Sequence, residues 1–195
     1  MPYVSLSQMV AALKRDRVLV SFPTDTVPAL ATRPEHAELI YEAKRRPPEK
    51  PLILMGASLE DLLPYVTGDT AALAEWKALS DQHWPGQLTL VLPASDRTPP
   101  TLNPASTGTL GIRVPNHPTA LALLSRSGPL ATTSANLSGQ PPLVSAGDIA
   151  RTFPSALILP ADASTPTLTS SGTPSTVAQW TAGGWKILRQ GKVHL

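Results

Sequence analysis

Short apolar runs alternate along the chain with segments whose apolar residues recur at helical spacing. The runs have the length of strands, because helices need ten or more periodic residues. Strands are predicted over residues 18–22, 52–55, 88–92, 110–114, 129–133, 156–159, 176–180 and 185–188. Helices are predicted over residues 5–16, 34–44, 58–65, 70–80, 118–126 and 145–152.

Start signals support several of these helices. Ser5 or Ser7 can cap the first helix, and Ser58 with Asp61 has the spacing of a capping box. In the helix over 70–80, the residues at helical spacing that we expect to face the core are Leu73, Trp76 and Leu79.

Strands mixed with helices predict an α/β domain, in which helices flank a twisted sheet. We expect a mixed rather than a purely parallel sheet, because several connections lack a helix. The 195 residues fit a single domain over 1–195, and the 42% of hydrophobic residues suffice for a core. The Ser/Thr/Pro-rich stretch 161–174 is predicted to be a long loop, since too few residues follow it to form another domain.

Composition excludes several classes of protein. The chain has no cysteine, which excludes disulfides, thiolate zinc sites and thiol catalysis. No apolar stretch reaches the length of a membrane span, so no membrane partner is expected. The residues at the start lack a charged segment followed by an apolar one, so no secretory signal is predicted and a cytoplasmic location is expected.

Positive charge is unevenly distributed, although the net charge is only +2. Residues 44–50 carry four cations against Glu49, and residues 163–195 carry three cations and no acid. Such clusters suit phosphates or nucleic acid. The alternative is a solvated helix end, where Lys and Arg complement the helix dipole.

Polar clusters follow several of the predicted strands, and ligands of open α/β sheets bind at strand ends. The clusters are Pro23-Thr24-Asp25-Thr26, Lys44-Arg45-Arg46 with Lys50, Arg113 after Gly111, Ser134-Ala135-Asn136 and Ser175-Thr176. Hydroxyls, an amide and fixed cations suit an anionic ligand such as a nucleoside triphosphate. Each cluster alone is equally compatible with a polar turn or a helix cap. We expect the clusters to gather around one concave, positively charged cavity.

Metal and nucleotide motifs are missing from the sequence. The four histidines lack the spacing of metal ligands, so no protein-ligated metal is expected. There is neither a glycine-rich phosphate loop ending in Lys-Ser/Thr nor a G-x-G-x-x-G fingerprint. A triphosphate site would therefore have to be built another way.

Seven elements in series resemble the YrdC-like family of threonylcarbamoyl-AMP synthases, in its single-domain form. They cover nearly the whole chain. The matching elements are Phe22-Pro23-Thr24-Asp25-Thr26-Val27, Lys44-Arg45-Arg46-Pro47 through Lys50-Pro51-Leu52, Trp84-Pro85-Gly86-Gln87 through Leu92, Gly111-Ile112-Arg113-Val114-Pro115, Ser134-Ala135-Asn136-Leu137-Ser138-Gly139, Pro174-Ser175-Thr176-Val177 and Ile187-Leu188-Arg189-Gln190-Gly191.

The resemblance implies a YrdC-like fold with a concave basic cleft and an enzyme that makes threonylcarbamoyl-AMP and pyrophosphate from L-threonine, bicarbonate and ATP. The implied catalytic residues are Lys44, Arg46, Ser134 and Asn136. Thr24, Arg113 and Ser175 would bind threonine, and ATP would bind Lys44, Ser134, Asn136 and Arg189. Magnesium would be bound to ATP rather than to the protein. Implied partners are tRNA or double-stranded RNA and the proteins of the threonylcarbamoyl-transfer machinery.

Two departures from the family pattern fall on the threonine side. The family usually continues P-T-D-T-V with Tyr-Gly-Leu, where this chain has Pro28-Ala29-Leu30, and it often has a histidine at the position of Met55. We therefore expect ATP binding to be retained and the threonine pocket to be altered. The alternative is a non-catalytic or altered-specificity YrdC-like paralogue that binds nucleotides or RNA.

Overall fold

The computed structural model describes residues 2–160 and 170–195. In these ranges the chain forms nine strands, six α-helices and three short 3-10 turns. The helices are α1 Leu6–Arg15, α2 Glu38–Lys44, α3 Leu59–Leu62, α4 Thr70–His83, α5 Pro118–Ser127 and α6 Ala146–Thr152. The strands are β1 Val20–Phe22, β2 Ala29–Thr32, β3 Ile53–Met55, β4 Leu88–Pro93, β5 Thr109–Arg113, β6 Leu130–Ser134, β7 Leu157–Ile158, β8 Thr176–Thr181 and β9 Gly184–Arg189.

Side-chain caps start two of the helices as the sequence predicts. Ser5 and Gln8 form a capping box at α1, and Ser58 and Asp61 form one at α3. Each box satisfies amide groups that the first helical turn leaves without an intrahelical partner.

All nine strands belong to one mixed sheet, in the order β7-β1-β2-β6-β3-β5-β4-β8-β9. Parallel pairs occur at β1/β7, β3/β5 and β4/β8, and the remaining pairs are antiparallel. The prediction of an α/β fold with a mixed sheet is therefore confirmed. Its central strands bring residues far apart in sequence onto one surface, because β6 lies between β2 and β3.

The two faces of the sheet are covered to different extents. One face packs against α2, α4 and α6, and its core contains the fully buried Trp76. On the other face, a smaller core joins α1 and α5 to the apolar side chains of β1, β2, β3 and β6. Beyond α1 and α5, this second face opens into the cleft described below.

Two details differ from the sequence-based expectation. Strand β2 was not predicted, because Ala29–Thr32 lies between two prolines and lacks an alternating pattern. Leu73 is 39% exposed rather than part of the core, since α4 buries Ala72, Trp76 and Ser80 instead.

The predicted loop 161–174 is described only from Ser170 onward, so most of it lies outside the described residues.

Among residues 2–160 and 170–195, no helix is both long enough and apolar enough to cross a membrane.

Candidate active site

A concave cleft lies on the open part of the second sheet face. It encloses about 690 Å³ of empty space, part of which is open to solvent. Its described lining residues come from six strands or strand ends and from two loops. They are Thr26, Val27, Ala29, Arg46, Pro51, Ile53, Met55, Arg113, Thr132, Thr133, Ser134, Pro174, Ser175 and Arg189.

Arg113 at the end of β5 is buried in the wall of this cleft, with only 3% of its surface exposed. Its Nη2 donates to Asp25 Oδ1 at 2.7 Å, its Nη1 to Thr26 Oγ1 at 2.9 Å and its Nε to the Gly86 carbonyl at 3.0 Å. Burial lowers the pKa of the Arg113 guanidinium, and the Asp25 carboxylate opposes this shift. Three of the five N–H groups are committed, so two remain for a ligand.

The loop after β1 holds Asp25 and Thr26 in place. Thr24 Oγ1 donates to the Val27 carbonyl at 2.7 Å and accepts from the Thr26 amide at 3.2 Å. Because the Thr24 proton is used in this way, the 3.1 Å contact between the two hydroxyls makes Thr26 the donor. Thr24 therefore stabilises the loop from inside, and it is Thr26 that lines the cleft.

Lys44, Ser134 and Asn136 form a second cluster, at the end of β6. The Lys44 ammonium donates to the Ser134 carbonyl and lies 3.3 Å from Asn136 Oδ1. Ser134 Oγ donates to the same Asn136 oxygen at 2.5 Å. The Asn136 amide nitrogen donates to the carbonyls of Leu137 and Gln140 at 2.8 and 2.7 Å, which fixes the orientation of the side chain. Ser134 faces the cleft, while Lys44 and Asn136 lie directly behind it.

Burial decides the charge of Lys44, which is 1% exposed. Desolvation, with a smaller contribution from the positive charge of Arg46, lowers the pKa of Lys44 to about 7. No salt bridge involves Lys44 in the described part of the chain. Lys44 reaches this position because α2 ends there, with Arg45 in the left-handed conformation as its C-cap.

Ser175 and Arg189 form a third cluster, where β8 begins and β9 ends. Arg189 donates to the Ser175 carbonyl from Nε at 3.0 Å and from Nη2 at 2.8 Å. The Ser175 hydroxyl lies 2.8 Å from Thr89 Oγ1, inside the sheet. A Cβ at Gly191 would lie 2.5 Å from the Thr176 amide nitrogen, so this close packing of the C-terminal segment requires glycine there.

Arg46 completes the cationic side of the cleft. Its Nε donates to the Lys50 carbonyl at 2.8 Å and its Nη2 to the Pro51 carbonyl at 3.0 Å. Three arginines and no carboxylate line the cleft among the described residues, but Asp25 cancels the charge of Arg113 from behind. The predicted basic character of the cleft therefore depends on Arg46 and Arg189 and stays a prediction.

The structure gathers most of the residues implied by the sequence at one cavity. The lining includes Arg46, Arg113, Ser134, Ser175 and Arg189. Ala29 and Met55, two of the departures from the family pattern, also line it. The roles of these residues, and of Lys44, Asn136 and Thr24 behind them, stay predictions.

Sequence reasoning did not single out three residues of this site. Thr89 was not considered, and Asp25 and Thr26 were named only within a strand-end cluster, although each of the three holds another side chain of the cleft in position. Only the position of Asp25 and Thr26 within the same strand-end cluster as Thr24 could have pointed to them. Thr89 gave no signal, because its partner Ser175 is 86 residues away.

The oxygen atoms that line the cleft determine whether it can bind a metal ion. Hydroxyl oxygens line it, and the described residues contain no group of three or more His, Cys, Asp or Glu side chains placed to hold a metal ion. Hard cations such as magnesium prefer carboxylates, phosphates and water. Phosphate oxygens of a bound nucleotide would therefore have to provide most of the ligands of such an ion.

Known proteins resemble this chain in sequence and in fold. The chain is 44% identical over 138 residues to the threonylcarbamoyl-AMP synthase of Bacillus subtilis, a match that covers 67% of this chain and 38% of that protein. It is 36% identical over 157 residues to the synthase of Klebsiella pneumoniae, which covers 78% and 81% of the two chains. The crystal structure of P. abyssi Sua5 complexed with L-threonine superposes with a TM-score of 0.82 at 33% identity, over 96% of this chain and 55% of Sua5.

The chain thus spans about two fifths of the B. subtilis relative and about half of Sua5, but about four fifths of the K. pneumoniae relative. The protein-family model Sua5/YciO/YrdC, described as Telomere recombination, matches residues 11–191. This chain belongs to the Sua5/YciO/YrdC family.

Proposed function

We propose that this protein is a threonylcarbamoyl-AMP synthase, which converts L-threonine, bicarbonate and ATP into threonylcarbamoyl-AMP and pyrophosphate. The observation that carries the proposal is the cleft, where two partly committed arginines, one buried arginine and several hydroxyls face one space. This arrangement suits two anionic reactants held side by side. The relatives that share the family are named as such synthases.

The threonine side of the reaction centres on Arg113. Its two uncommitted N–H groups are held rigidly by Asp25, Thr26 and Gly86, so they can bind the carboxylate of an amino acid without reorganisation. The amine of that amino acid reacts with bicarbonate to give a carbamate and water. Ser175, just before β8, would limit the position of the carboxylate from two strands away.

The nucleotide side centres on Ser134, Arg46 and Arg189. The carbamate oxygen attacks the α-phosphorus of ATP, the bond from the α-phosphorus to the bridging oxygen breaks, and pyrophosphate leaves with the electron pair. Such a displacement depends on alignment and on neutralisation of the developing charge. Arg46 and Arg189 would bind the phosphates, and Lys44 would act through Ser134 and Asn136 as a positioning group. Magnesium bound to the triphosphate would supply further charge neutralisation.

The wider role is part of the same proposal. The adenylate product would serve threonylcarbamoyladenosine formation on tRNA, together with proteins of the transfer machinery, in the cytoplasm. The exposed cations Arg45, Lys50, Lys186 and Lys192 support contact with RNA phosphates.

Pyrophosphate release from ATP tests the proposed reaction. We expect release that requires both threonine and bicarbonate, and a product with the mass of threonylcarbamoyl-AMP. Ser134→Ala should lower the rate strongly, whereas Ser125→Ala, on the exposed surface of α5, should not. Release without dependence on threonine, or none at all, would contradict the proposal and favour a nucleotide-binding protein without synthase activity.

A further inference from the structure

The end of the cleft beside Arg113, called the amino-acid end below, is assembled from segments that are far apart in the sequence. The loop after β1 contributes Thr26 to its lining, and the segment before β8 contributes Ser175. The turn before β4 contributes no lining residue among those described, although its Gly86 carbonyl accepts from Arg113 Nε at 3.0 Å. The next residue of this turn is Gln87, and the proposed reaction gives its side chain no role.

Gln87 reaches from the turn to the loop that carries the counter-ion of Arg113. Its Nε2 donates to the Asp25 carbonyl at 2.9 Å, across 62 residues of sequence. The Ser171 amide donates to the same carbonyl at 3.0 Å. A carbonyl oxygen has two lone pairs, so these two donors satisfy it. The backbone of Asp25 is therefore fixed by one side-chain donor and one backbone donor.

The segment before β8 is attached to the same turn. The Thr176 amide donates to the Gln87 carbonyl at 3.0 Å, and the Gly172 amide donates to the Thr26 carbonyl at 3.0 Å. Ser175, which lines the cleft, lies between these two contacts in the sequence. Gln87 therefore joins both walls of the amino-acid end, one through its side chain and the other through its backbone.

The turn itself is held firmly. The Gly86 amide donates to the Val114 carbonyl at 2.9 Å. A Cβ at residue 86 would clash with the backbone carbonyl of the last residue of α4, so the turn requires glycine there. Gly86 contacts the guanidinium of Arg113, and Gln87 contacts the backbone of its counter-ion. The two partners of the 2.7 Å ion pair are thus held from adjacent residues of one turn.

We propose that Gln87 is a positioning residue of the amino-acid site, which aligns Arg113 and its counter-ion with the wall that carries Ser175. The inference rests on the proposed synthase function, because that function makes Arg113 the group that binds the substrate carboxylate. A guanidinium binds a carboxylate through two parallel N–H groups, so the contact depends on direction. A displacement of about 1 Å can lower a rate about 10²-fold even when its cause lies away from the reacting atoms.

Two substitutions that remove the donor of Gln87 test this role. Gln87→Met keeps the length of the side chain, and Gln87→Glu keeps its shape but replaces the donor by an acceptor. In pyrophosphate release, we expect each variant to raise the KM for L-threonine about tenfold, while the KM for ATP stays within about threefold of the original. Gln82→Met, on the exposed surface of α4, is the matched control and should leave both KM values unchanged.

The two KM values distinguish positioning of the amino-acid site from a general structural role. A general loosening of the cleft would raise the KM values of both substrates together. Neither KM depends on the fraction of folded protein, so a less stable variant still gives a valid comparison. A rise of less than about threefold in the KM for threonine in either variant of Gln87, or an equal rise in both KM values, would overturn the inference.

Equilibrium binding separates failure of the inference from failure of the proposed function. L-Threonine is titrated calorimetrically into each protein in the presence of a non-hydrolysable ATP analogue. Suppose that no protein releases pyrophosphate, but that both variants of Gln87 bind threonine about tenfold more weakly than the original and Gln82→Met do. The synthase function then fails and the positioning role remains. If the original protein does not bind threonine, or if all four proteins bind it equally, the inference is overturned.

Discussion

Two cations are buried at the cleft, Lys44 behind Ser134 and Arg113 beside Asp25, with 1% and 3% of their surfaces exposed. Arg113 keeps its charge, because a carboxylate lies 2.7 Å away and two further oxygens accept its N–H groups. Lys44 contacts only neutral oxygens, and burial lowers its pKa to about 7. A buried charge is either paired with an opposite charge, as in Arg113, or has its protonated form destabilised, as in Lys44.

The difference follows from the chemistry of the two side chains. Arginine does not lose its proton under ordinary conditions, so burying it requires a counter-ion. Lysine can become neutral, so it tolerates a site made of a carbonyl and an amide oxygen. Arg113 is therefore suited to a permanent contact with an anion, and Lys44 to a contact whose charge depends on pH and on the approach of phosphate.

Removing the counter-ion of Arg113 should have the largest effect on stability. Asp25→Asn keeps the shape and an accepting oxygen but leaves a buried, unpaired guanidinium. We expect a loss of about 3–5 kcal/mol in the free energy of unfolding, measured with urea. Asp81→Asn, in the exposed pair with Lys77, is the matched control and should cost less than about 1 kcal/mol. Equal losses in the two variants would mean that Asp25 does not stabilise Arg113.

Replacing the buried lysine should separate activity from stability. Lys44→Met removes the cost of burying this side chain and leaves no buried opposite charge, so the free energy of unfolding at pH 7 should not fall by more than about 1 kcal/mol and can rise. The rate of pyrophosphate release should fall by about 10²-fold, as expected when one positioned donor is removed from a reaction centre.

The exposed Lys77→Met is the control for this variant and should keep the original rate. A Lys44→Met protein that is fully active would remove Lys44 from the site. If the effect fell on the KM for ATP rather than on kcat, Lys44 would act in binding the nucleotide.

The contrast between the two cations was only partly visible in the sequence. The polar clusters at predicted strand ends indicated which residues come together at the cleft. Strands can be predicted from local sequence, and ligands of such sheets bind where strands end. The pairing of Arg113 with Asp25, 88 residues away, could not be predicted, since it depends on how β5 lies relative to the loop after β1.

The same limit explains the other misses. Ser58 and Asp61 are three residues apart, so their capping box was predicted correctly from local spacing. Thr24 and Thr26 are chemically alike, and only the folded loop shows that Thr24 is committed internally while Thr26 faces the cleft. Local sequence patterns predicted most helices and strands. Burial and long-range contacts, which these patterns do not show, determine which polar side chains are free to bind a ligand.

The lowered pKa of Lys44 predicts that stability depends on pH. The pKa is about 7 in the folded protein and close to 10.5 in the unfolded chain, so between these values the unfolded state binds more protons. Stability should therefore rise as the pH increases from 7 towards 10, with a slope of up to about 1.4 kcal/mol per pH unit, and be insensitive to Lys44 below pH 7.

Urea unfolding of the original protein and of Lys44→Met at pH 7, 8 and 9 isolates this contribution, because the other groups titrate in both proteins. The difference between the two free energies of unfolding should change with pH in favour of the original protein. A difference that stays constant from pH 7 to pH 9 would show that Lys44 keeps its charge in the folded state.

The smallest expected effect concerns a hydrogen bond that supports the wall next to Arg113. Thr89 is fully buried, and its hydroxyl lies 2.8 Å from that of Ser175. Thr89→Val keeps the shape and removes this one contact, while Arg189 still holds the Ser175 carbonyl through two N–H groups. We expect a loss of about 1 kcal/mol in the free energy of unfolding, the usual contribution of a single hydrogen bond. Because the Ser175 hydroxyl is then held only by Arg189 Nη2 at 3.2 Å, the KM for the amino acid should rise a few-fold while the KM for ATP is unchanged. Thr181→Val, on β8 away from the cleft, loses two hydroxyl contacts, to the Gly184 carbonyl and the Gly183 amide, and should change stability alone. A similar rise in the KM for the amino acid in both variants would mean that Thr89 stabilises the sheet without positioning Ser175.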